Sequence, residues 1–146
     1  MAEAVLRAKL AEAGLGQRVE VDSAGTGDWH VGGRMDRKAA IALRRNGYDG
    51  DSHRARQIRP SWLAERDLIL AMDTANLRDL RRLLGLAPGG EADRIRLFGE
   101  IGGLDGADVP DPYYGDQADF NRVLAMLETG MSHLVALLKA DPEITG

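Results

Sequence analysis

Short apolar runs of strand length alternate with helical segments along this chain, and this alternation constrains its fold more than any other feature. The run at residues 68–72 is continuous and apolar and ends at Asp73, which is typical of a strand buried on both faces of a parallel sheet. A second strand is predicted at residues 94–98, with Ile95 and Leu97 on one face. The pattern predicts an α/β fold with a doubly wound parallel sheet flanked by helices.

The predicted helices are bounded by capping residues and glycines. Asp36 predicts the start of a helix that reaches residue 46 and stops at Gly47. Asp116 predicts the start of the longest helix, in which apolar residues recur at helical spacing: Phe120, Val123, Leu124, Leu127, Met131, Leu134, Val135 and Leu138. Residues 18–23 alternate polar and apolar side chains and predict a strand, and the glycine-rich residues 99–106 predict a linker.

Length and charge exclude several classes of protein. The 146 residues make one domain, residues 1–146, with 44% hydrophobic and 29% charged residues, which is typical of a folded globular protein. The apolar runs are much shorter than the roughly 20 residues of a membrane-spanning helix, so we expect no membrane partner. The net charge is −4 and the positive residues are spread over the whole chain, so we expect no nucleic-acid partner. The N-terminal residues do not resemble a signal peptide, so we expect a cytoplasmic protein.

The loop at residues 111–115 combines a carboxylate with two adjacent tyrosines. Pro110 and Pro112 on either side of Asp111 limit the conformations of the loop, which suits a carboxylic acid that passes a proton to a leaving group. The alternative is a turn whose tyrosines cover the core and whose aspartate is solvated. From spacing alone, the alternative is somewhat favoured.

Two further side chains are candidates. Trp29 follows the predicted strand at 18–23 and is placed either to wall an aryl pocket or to pack its loop onto the domain. His53 lies in a polar, basic segment and is a candidate titrating group, although a lone histidine is more often structural. The spacing of the histidines and acids predicts no metal site, and no Gly-rich nucleotide loop is present.

Several blocks, in order, closely resemble one family over essentially the whole chain: the low-molecular-weight protein tyrosine phosphatases. The blocks are Met-Ala-Glu-Ala-Val-Leu at 1–6, Val-Asp-Ser-Ala-Gly-Thr at 21–26, Asp-Trp-His-Val-Gly at 28–32, His-Arg-Ala-Arg-Gln-Ile at 53–58, Met-Asp-Thr-Ala-Asn-Leu at 72–77 and Asp-Pro-Tyr-Tyr-Gly at 111–115. The resemblance implies a phosphotyrosine hydrolase that needs no metal or other cofactor, with a four-stranded parallel sheet. A cysteine thiolate would attack phosphorus to form a phosphocysteine.

The same resemblance implies the roles of the matching residues. Asp111 is expected to be the general acid, and the substrate is expected to be a phosphotyrosine-containing protein. The expected walls of the aryl pocket are Trp29, Tyr113 and Tyr114, and the expected hydrogen-bonding support of the phosphate-binding loop is Glu3, Ser23 and His53.

The sequence departs from the family in one respect, because it contains no cysteine. The family's first, central strand and its Cys-x5-Arg loop would lie just before Met1, and we expect both to be missing from this chain. We therefore expect the 146-residue chain to be inactive, and a homo-oligomer or an exchange of elements to compensate for the strand. The alternatives are an arsenate reductase of the same fold, which needs several cysteines, and a non-catalytic phosphopeptide-binding relative.

Overall fold

Helices outnumber strands in the computed structural model, which describes residues 1–26, 31–85 and 94–145. In chain order the elements are α1 (Ala2–Glu12), α2 (Arg37–Arg45), α3 (Trp62–Glu65), β1 (Ile69–Ala71), α4 (Thr74–Leu83), β2 (Ile95–Leu97), α5 (Phe98–Ile101), α6 (Gln117–Lys139) and α7 (Pro142–Thr145). Within these residues, no helix is both long enough and apolar enough to cross a membrane.

The sheet pairs β1 with β2 in parallel, and α4 connects them. Ile69 faces Ile95 and Ala71 faces Leu97 in the register. This arrangement confirms an α/β fold with a parallel sheet and flanking helices.

β1 has apolar contacts on both faces but is only partly buried, whereas the sequence predicted a strand that is buried on both faces. Ile69 packs against a small cluster that contains Ile58, Leu80 and Ile95, whereas Leu70 packs against the main core. Side-chain alternation thus gives both faces apolar contacts, as expected for a parallel strand. Ile69 and Leu70 nevertheless remain half-buried, because each lies at the edge of its cluster.

Residues 18–23 are not a strand, contrary to the prediction from their alternation. Side chains hold this segment instead: Arg7 Nη2 donates to the Val21 carbonyl at 2.7 Å, and Arg66 Nε donates to Asp22 Oδ1 at 3.1 Å. Arg66 also stacks on Trp62, with its guanidinium carbon 4.1 Å from the ring centroid. Alternation predicts which face is apolar, but a strand also needs a neighbouring backbone to pair with.

Residues 99–106 are not a simple linker, because α5 begins directly after β2. The glycine at position 99 serves close packing, since a Cβ there would overlap the backbone of Ala107. Phe98 is completely buried at the start of α5. The glycine-rich composition therefore reflects a tight approach of two backbones more than a flexible connection.

The main core is built on α6, as its apolar periodicity predicts. Asp116 caps this helix in a capping box with Asp119, and Asp36 caps α2, so both predicted helix starts are confirmed. The buried α6 residues are Phe120, Val123, Leu124, Leu127, Gly130, Met131, Leu134 and Val135. They meet Val5 of α1, Leu43 of α2 and Phe98 of α5. One helix therefore packs against three helices from separate parts of the chain.

Gly130 lies in the middle of α6 where the ring of Phe98 leaves no room for a Cβ. We expect Gly130→Ala to lower the free energy of unfolding by about 1–3 kcal/mol, because overpacking outweighs the better helix propensity of alanine. Urea denaturation measures the change. Gly16→Ala is the control, since a Cβ at Gly16 meets only Ala11 Cα at 3.8 Å. An unchanged midpoint for Gly130→Ala would contradict this close packing of Gly130 against Phe98.

Tyr48 joins the chain after α2 to α6 through a hydrogen bond from its hydroxyl to Glu128 Oε2 at 2.7 Å. Burial, this hydrogen bond and the charges of Glu128 and Glu12 raise the pKa of Tyr48 to about 12 from an ordinary 10.0. Because folding favours the neutral phenol, its contribution to stability is complete below pH 10 and is lost as the pH rises toward 12.

We expect Tyr48→Phe to cost about 1 kcal/mol at neutral pH. The difference in unfolding free energy between the two proteins should shrink as the pH rises above the ordinary tyrosine value, as measured by urea denaturation at several pH values. A difference that stays constant would show that the hydrogen bond does not carry the effect.

Candidate functional site

A cleft of about 610 Å³ brings together residues that are distant in the sequence. Its wall includes Arg34, Asp36, His53, Asp111 and Tyr113, and Phe120 of α6 also contributes to it. Three of the predicted site residues, His53, Asp111 and Tyr113, thus share one cavity. Arg34 and Asp36 also line the cleft, and the sequence did not predict them as site residues.

The loop that carries Asp111 begins next to the carboxyl end of β1. The Val109 amide donates to the Met72 carbonyl at 2.8 Å, directly beyond the strand. Asp108 Oδ1 accepts from the Thr74 amide at 3.1 Å and from the Thr74 hydroxyl at 2.9 Å. Ligands of α/β sheets bind beyond the carboxyl ends of strands, so these bonds hold Asp111 near the expected position of a ligand.

The residues that follow Asp111 form a tight turn. The Gly115 amide donates to the Pro112 carbonyl at 2.7 Å, and the Tyr113 amide donates to Asp111 Oδ1 at 3.0 Å. The rings of Tyr113 and Tyr114 meet edge to face, with centroids 4.9 Å apart. Tyr113 is 47% exposed and lines the cleft, whereas Tyr114 is 97% exposed and is not among the described lining residues.

A bond that the sequence did not predict fastens the far end of this loop to α2. Lys38 Nζ donates to the Gly115 carbonyl at 2.8 Å, and Gln117 Nε2 donates back to the Lys38 carbonyl at 3.0 Å. Nothing in the sequence marks Lys38, because its partner lies 77 positions away. The loop is therefore tied to the sheet at one end and to α2 at the other.

Glu3 and Ser23, two of the predicted support residues, are in direct contact. The Ser23 hydroxyl donates to Glu3 Oε1 at 2.9 Å, and Arg56 Nη2 lies 3.4 Å from the same oxygen. Arg7 Nη2 lies 3.4 Å from Glu3 Oε2. The Glu3 side chain is largely buried, and these neighbours balance its negative charge.

His53 lies in the cleft wall with its ring partly buried. Burial lowers the pKa of His53 below its ordinary 6.5, the positive charges of the Met1 amino group, Arg56 and Arg54 lower it further, and Glu3 opposes them. The ring is therefore neutral at pH 7 and is able to donate one hydrogen bond and accept another.

Trp29 lies outside the residues that the structure describes, so its predicted place in a pocket wall stays a prediction. The residues on either side of it are held by one neighbouring segment. The Gly25 amide donates to the Arg56 carbonyl at 2.8 Å, and the Gly32 amide donates to the Ala55 carbonyl at 2.8 Å. Across the described ranges, no group of three or more histidine, aspartate or glutamate side chains could hold a metal ion.

The chain is similar to known phosphatases in sequence and in fold. The family model for low molecular weight phosphotyrosine protein phosphatase matches residues 1–143. A low molecular weight protein-tyrosine-phosphatase of Streptomyces coelicolor is 44% identical, covering 98% of this chain and 87% of the relative.

Two solved structures extend the similarity to three dimensions. The protein tyrosine phosphatase of Entamoeba histolytica, with Hepes in its active site, is 30% identical with a TM-score of 0.85 over 94% of this chain and 86% of that one. YfkJ of Bacillus subtilis is 35% identical with a TM-score of 0.83 over 94% and 84% of the two chains.

We expect His53 to make the protein less stable in mild acid. Since the folded-state pKa of His53 lies below 6.5, the unfolded chain binds more protons between these two values, and stability falls as the pH drops through this window. His53→Gln stays neutral, so its unfolding free energy should fall less than that of the parent between pH 7.5 and 5, as measured by urea denaturation. Parallel pH profiles for the two proteins would contradict the assignment.

Proposed function

The chain belongs to the low molecular weight phosphotyrosine protein phosphatase family, and we propose that Asp111 is its general acid and that the cleft beside it receives a phosphotyrosine side chain. The family places the protein among phosphoric monoester hydrolases that act on phosphoproteins. The observation that carries the proposal is the shared cleft wall of Asp111, Tyr113 and His53.

The geometry of Asp111 suits proton transfer to a leaving group. Its Oδ1 is occupied by the Tyr113 amide, and the side chain is exposed to the cleft, so the carboxyl group has a fixed orientation and an accessible oxygen. In the proposed step a thiolate attacks phosphorus, the bond from phosphorus to the phenolic oxygen breaks, and the Asp111 proton goes to that oxygen. Water then hydrolyses the phosphocysteine.

Aromatic side chains are proposed to hold the substrate ring. Tyr113 lines the cleft next to the acid and presents an apolar face to a phenyl group. We assign Tyr114 and Trp29 to the same pocket on the family resemblance, although Tyr114 is almost fully exposed in this structure. Packing against a substrate is one way to bury such a ring.

The proposed support of the phosphate-binding loop consists of Glu3, Ser23 and His53. Glu3 and Ser23 are already hydrogen bonded, and the neutral ring of His53 stands in the cleft wall. Groups whose own partners hold them in place position a loop more accurately than free side chains do.

The 146 residues do not supply the nucleophile, because they include no cysteine, and the phosphate-binding arginine of the same Cys-x5-Arg loop is expected to be missing with it. We propose that the 146-residue chain by itself is therefore inactive. The absence of cysteine also argues against an arsenate reductase, which needs several.

The proposal also includes the domain organisation, the cell compartment and the oligomeric state of the protein. We place residues 1–146 in one domain, because α1 and α6 from the two ends of the chain share a core. We also place the protein in the cytoplasm. A homo-oligomer or an exchange of elements between subunits stays a prediction, and light scattering showing a compact, stable monomer would count against it.

We expect no turnover of p-nitrophenyl phosphate above background with the purified 146-residue chain, because no group in it supplies the thiolate. The assay compares the parent with Asp111→Asn and with Asp67→Asn, an exposed acid with no part in the cleft.

Activity in the parent and in Asp67→Asn that disappears in Asp111→Asn would refute the proposed inactivity while supporting the role of Asp111. Calorimetric titration with a phosphotyrosine peptide separates the remaining readings. Binding without turnover favours a phosphopeptide-binding module, whereas neither binding nor turnover favours an enzyme that lacks its nucleophile.

A further inference from the structure

Arg34 is a cleft residue whose guanidinium has no partner among the described residues. It lines the cleft together with Asp111 and Tyr113, and its side chain is exposed. No described carboxylate or carbonyl pairs with it. Arg56 and Arg66 are paired with carboxylates, but several exposed arginines outside the cleft have no such pair among the described residues, so the place of Arg34 in the cleft wall is what distinguishes it.

The backbone that carries Arg34 is nonetheless fixed. Arg34 forms an antiparallel bridge with Arg54, and the Ala55 amide donates to the Gly33 carbonyl at 2.9 Å beside it. The bridge partner uses its own guanidinium internally, because Arg54 Nη1 donates to the carbonyls of Asp51 at 3.0 Å and His53 at 2.7 Å. Of the two bridged arginines, Arg34 is the one left to meet a ligand.

The acid nearest to Arg34 in sequence is committed elsewhere. Asp36 Oδ1 accepts from the amides of Lys38 and Ala39 and caps α2. The first residue of α2 is Arg37, an exposed cation at the helix end where the backbone dipole disfavours positive charge. Arg37 is not among the described lining residues of the cleft, so its contribution is an added positive charge three positions along the chain from Arg34.

We infer that Arg34, assisted by Arg37, binds acidic side chains that flank the target tyrosine of the substrate. The inference rests on the proposed function, because only a phosphotyrosine phosphatase would have such a peptide as its substrate. A guanidinium presents two parallel N–H groups to a carboxylate, which suits recognition of aspartate or glutamate. Two arginines on a chain of net charge −4 are too few for a nucleic-acid backbone, so a short acidic peptide fits better.

The test uses a peptide without phosphate, so that its outcome does not depend on catalysis. A tyrosine peptide with glutamates on both sides, and its glutamine counterpart, are titrated into the ¹⁵N-labelled chain and followed by NMR at 50 mM and 500 mM salt. We expect the glutamate peptide to bind several-fold more tightly at low salt, with the Arg34 and Tyr113 regions shifting, and this preference to disappear at high salt.

Arg34→Gln should reduce the preference for the glutamate peptide by about 3–5-fold, the effect of one or so exposed ion pairs. Arg34→Lys should retain part of it, because the charge remains but the paired donors do not. The control is Arg78→Gln with Arg82→Gln, which removes exposed cations from α4 outside the described cleft wall. Well-dispersed NMR spectra establish that each variant is folded.

Equal binding of the two peptides to the parent, or a preference that survives Arg34→Gln, would overturn the inference. A control that loses the preference as much as Arg34→Gln would also overturn it, since general attraction would then explain the binding. The result is separate from the p-nitrophenyl phosphate assay, because an inactive chain can still select the acidic peptide and an active one can fail to.

Discussion

The apolar stripe of α6 is the constraint on which the rest of the structure depends. Burying a large apolar side chain contributes roughly 1.5–3 kcal/mol, and α6 buries a row of them against α1, α2 and α5, which come from separate parts of the chain. The capping box at Asp116 fixes where this helix begins. The loop that carries Asp111, residues 108–115 and here called the acid loop, leads directly into Asp116, so the position of α6 also determines where this loop ends.

The acid loop is held by bonds whose partners come from separate parts of the chain. At one end, Thr74 and Met72 fasten it to the region just beyond β1, and at the other end Lys38 fastens it to α2. These bonds are all made within the chain, so the position of the loop does not depend on contacts with a substrate. A catalytic group that is already oriented loses less freedom when substrate arrives, which is the physical advantage of such anchoring.

Local signals in the sequence were sufficient for the parts of the fold that depend on local physics. The caps at Asp36 and Asp116 and the period of α6 were predicted correctly, because each rests on residues within a few positions. Residues 18–23 were predicted wrongly because a strand needs a partner that is distant in the sequence. Residues 99–106 were predicted wrongly because the sequence does not distinguish a glycine in a flexible linker from a glycine in a tight backbone contact. Asp111 and His53 were candidates from the residues alone, and the family resemblance supplied their expected roles and that of Tyr113, whereas Arg34 and Lys38 carry no local signal.

The charged side chains of the cleft divide into those committed to the fold and those available to a ligand. Within the described part of the wall, Asp36 is occupied as a helix cap, and burial keeps His53 neutral at pH 7. Asp111 and Arg34 remain. A single exposed acid suits proton transfer, and an unpaired cation beside it suits an anionic partner, so the two sit where they would act on different parts of one substrate. Because Asp36 caps a helix and His53 is neutral, proton transfer falls to Asp111 and the binding of an anionic group falls to Arg34.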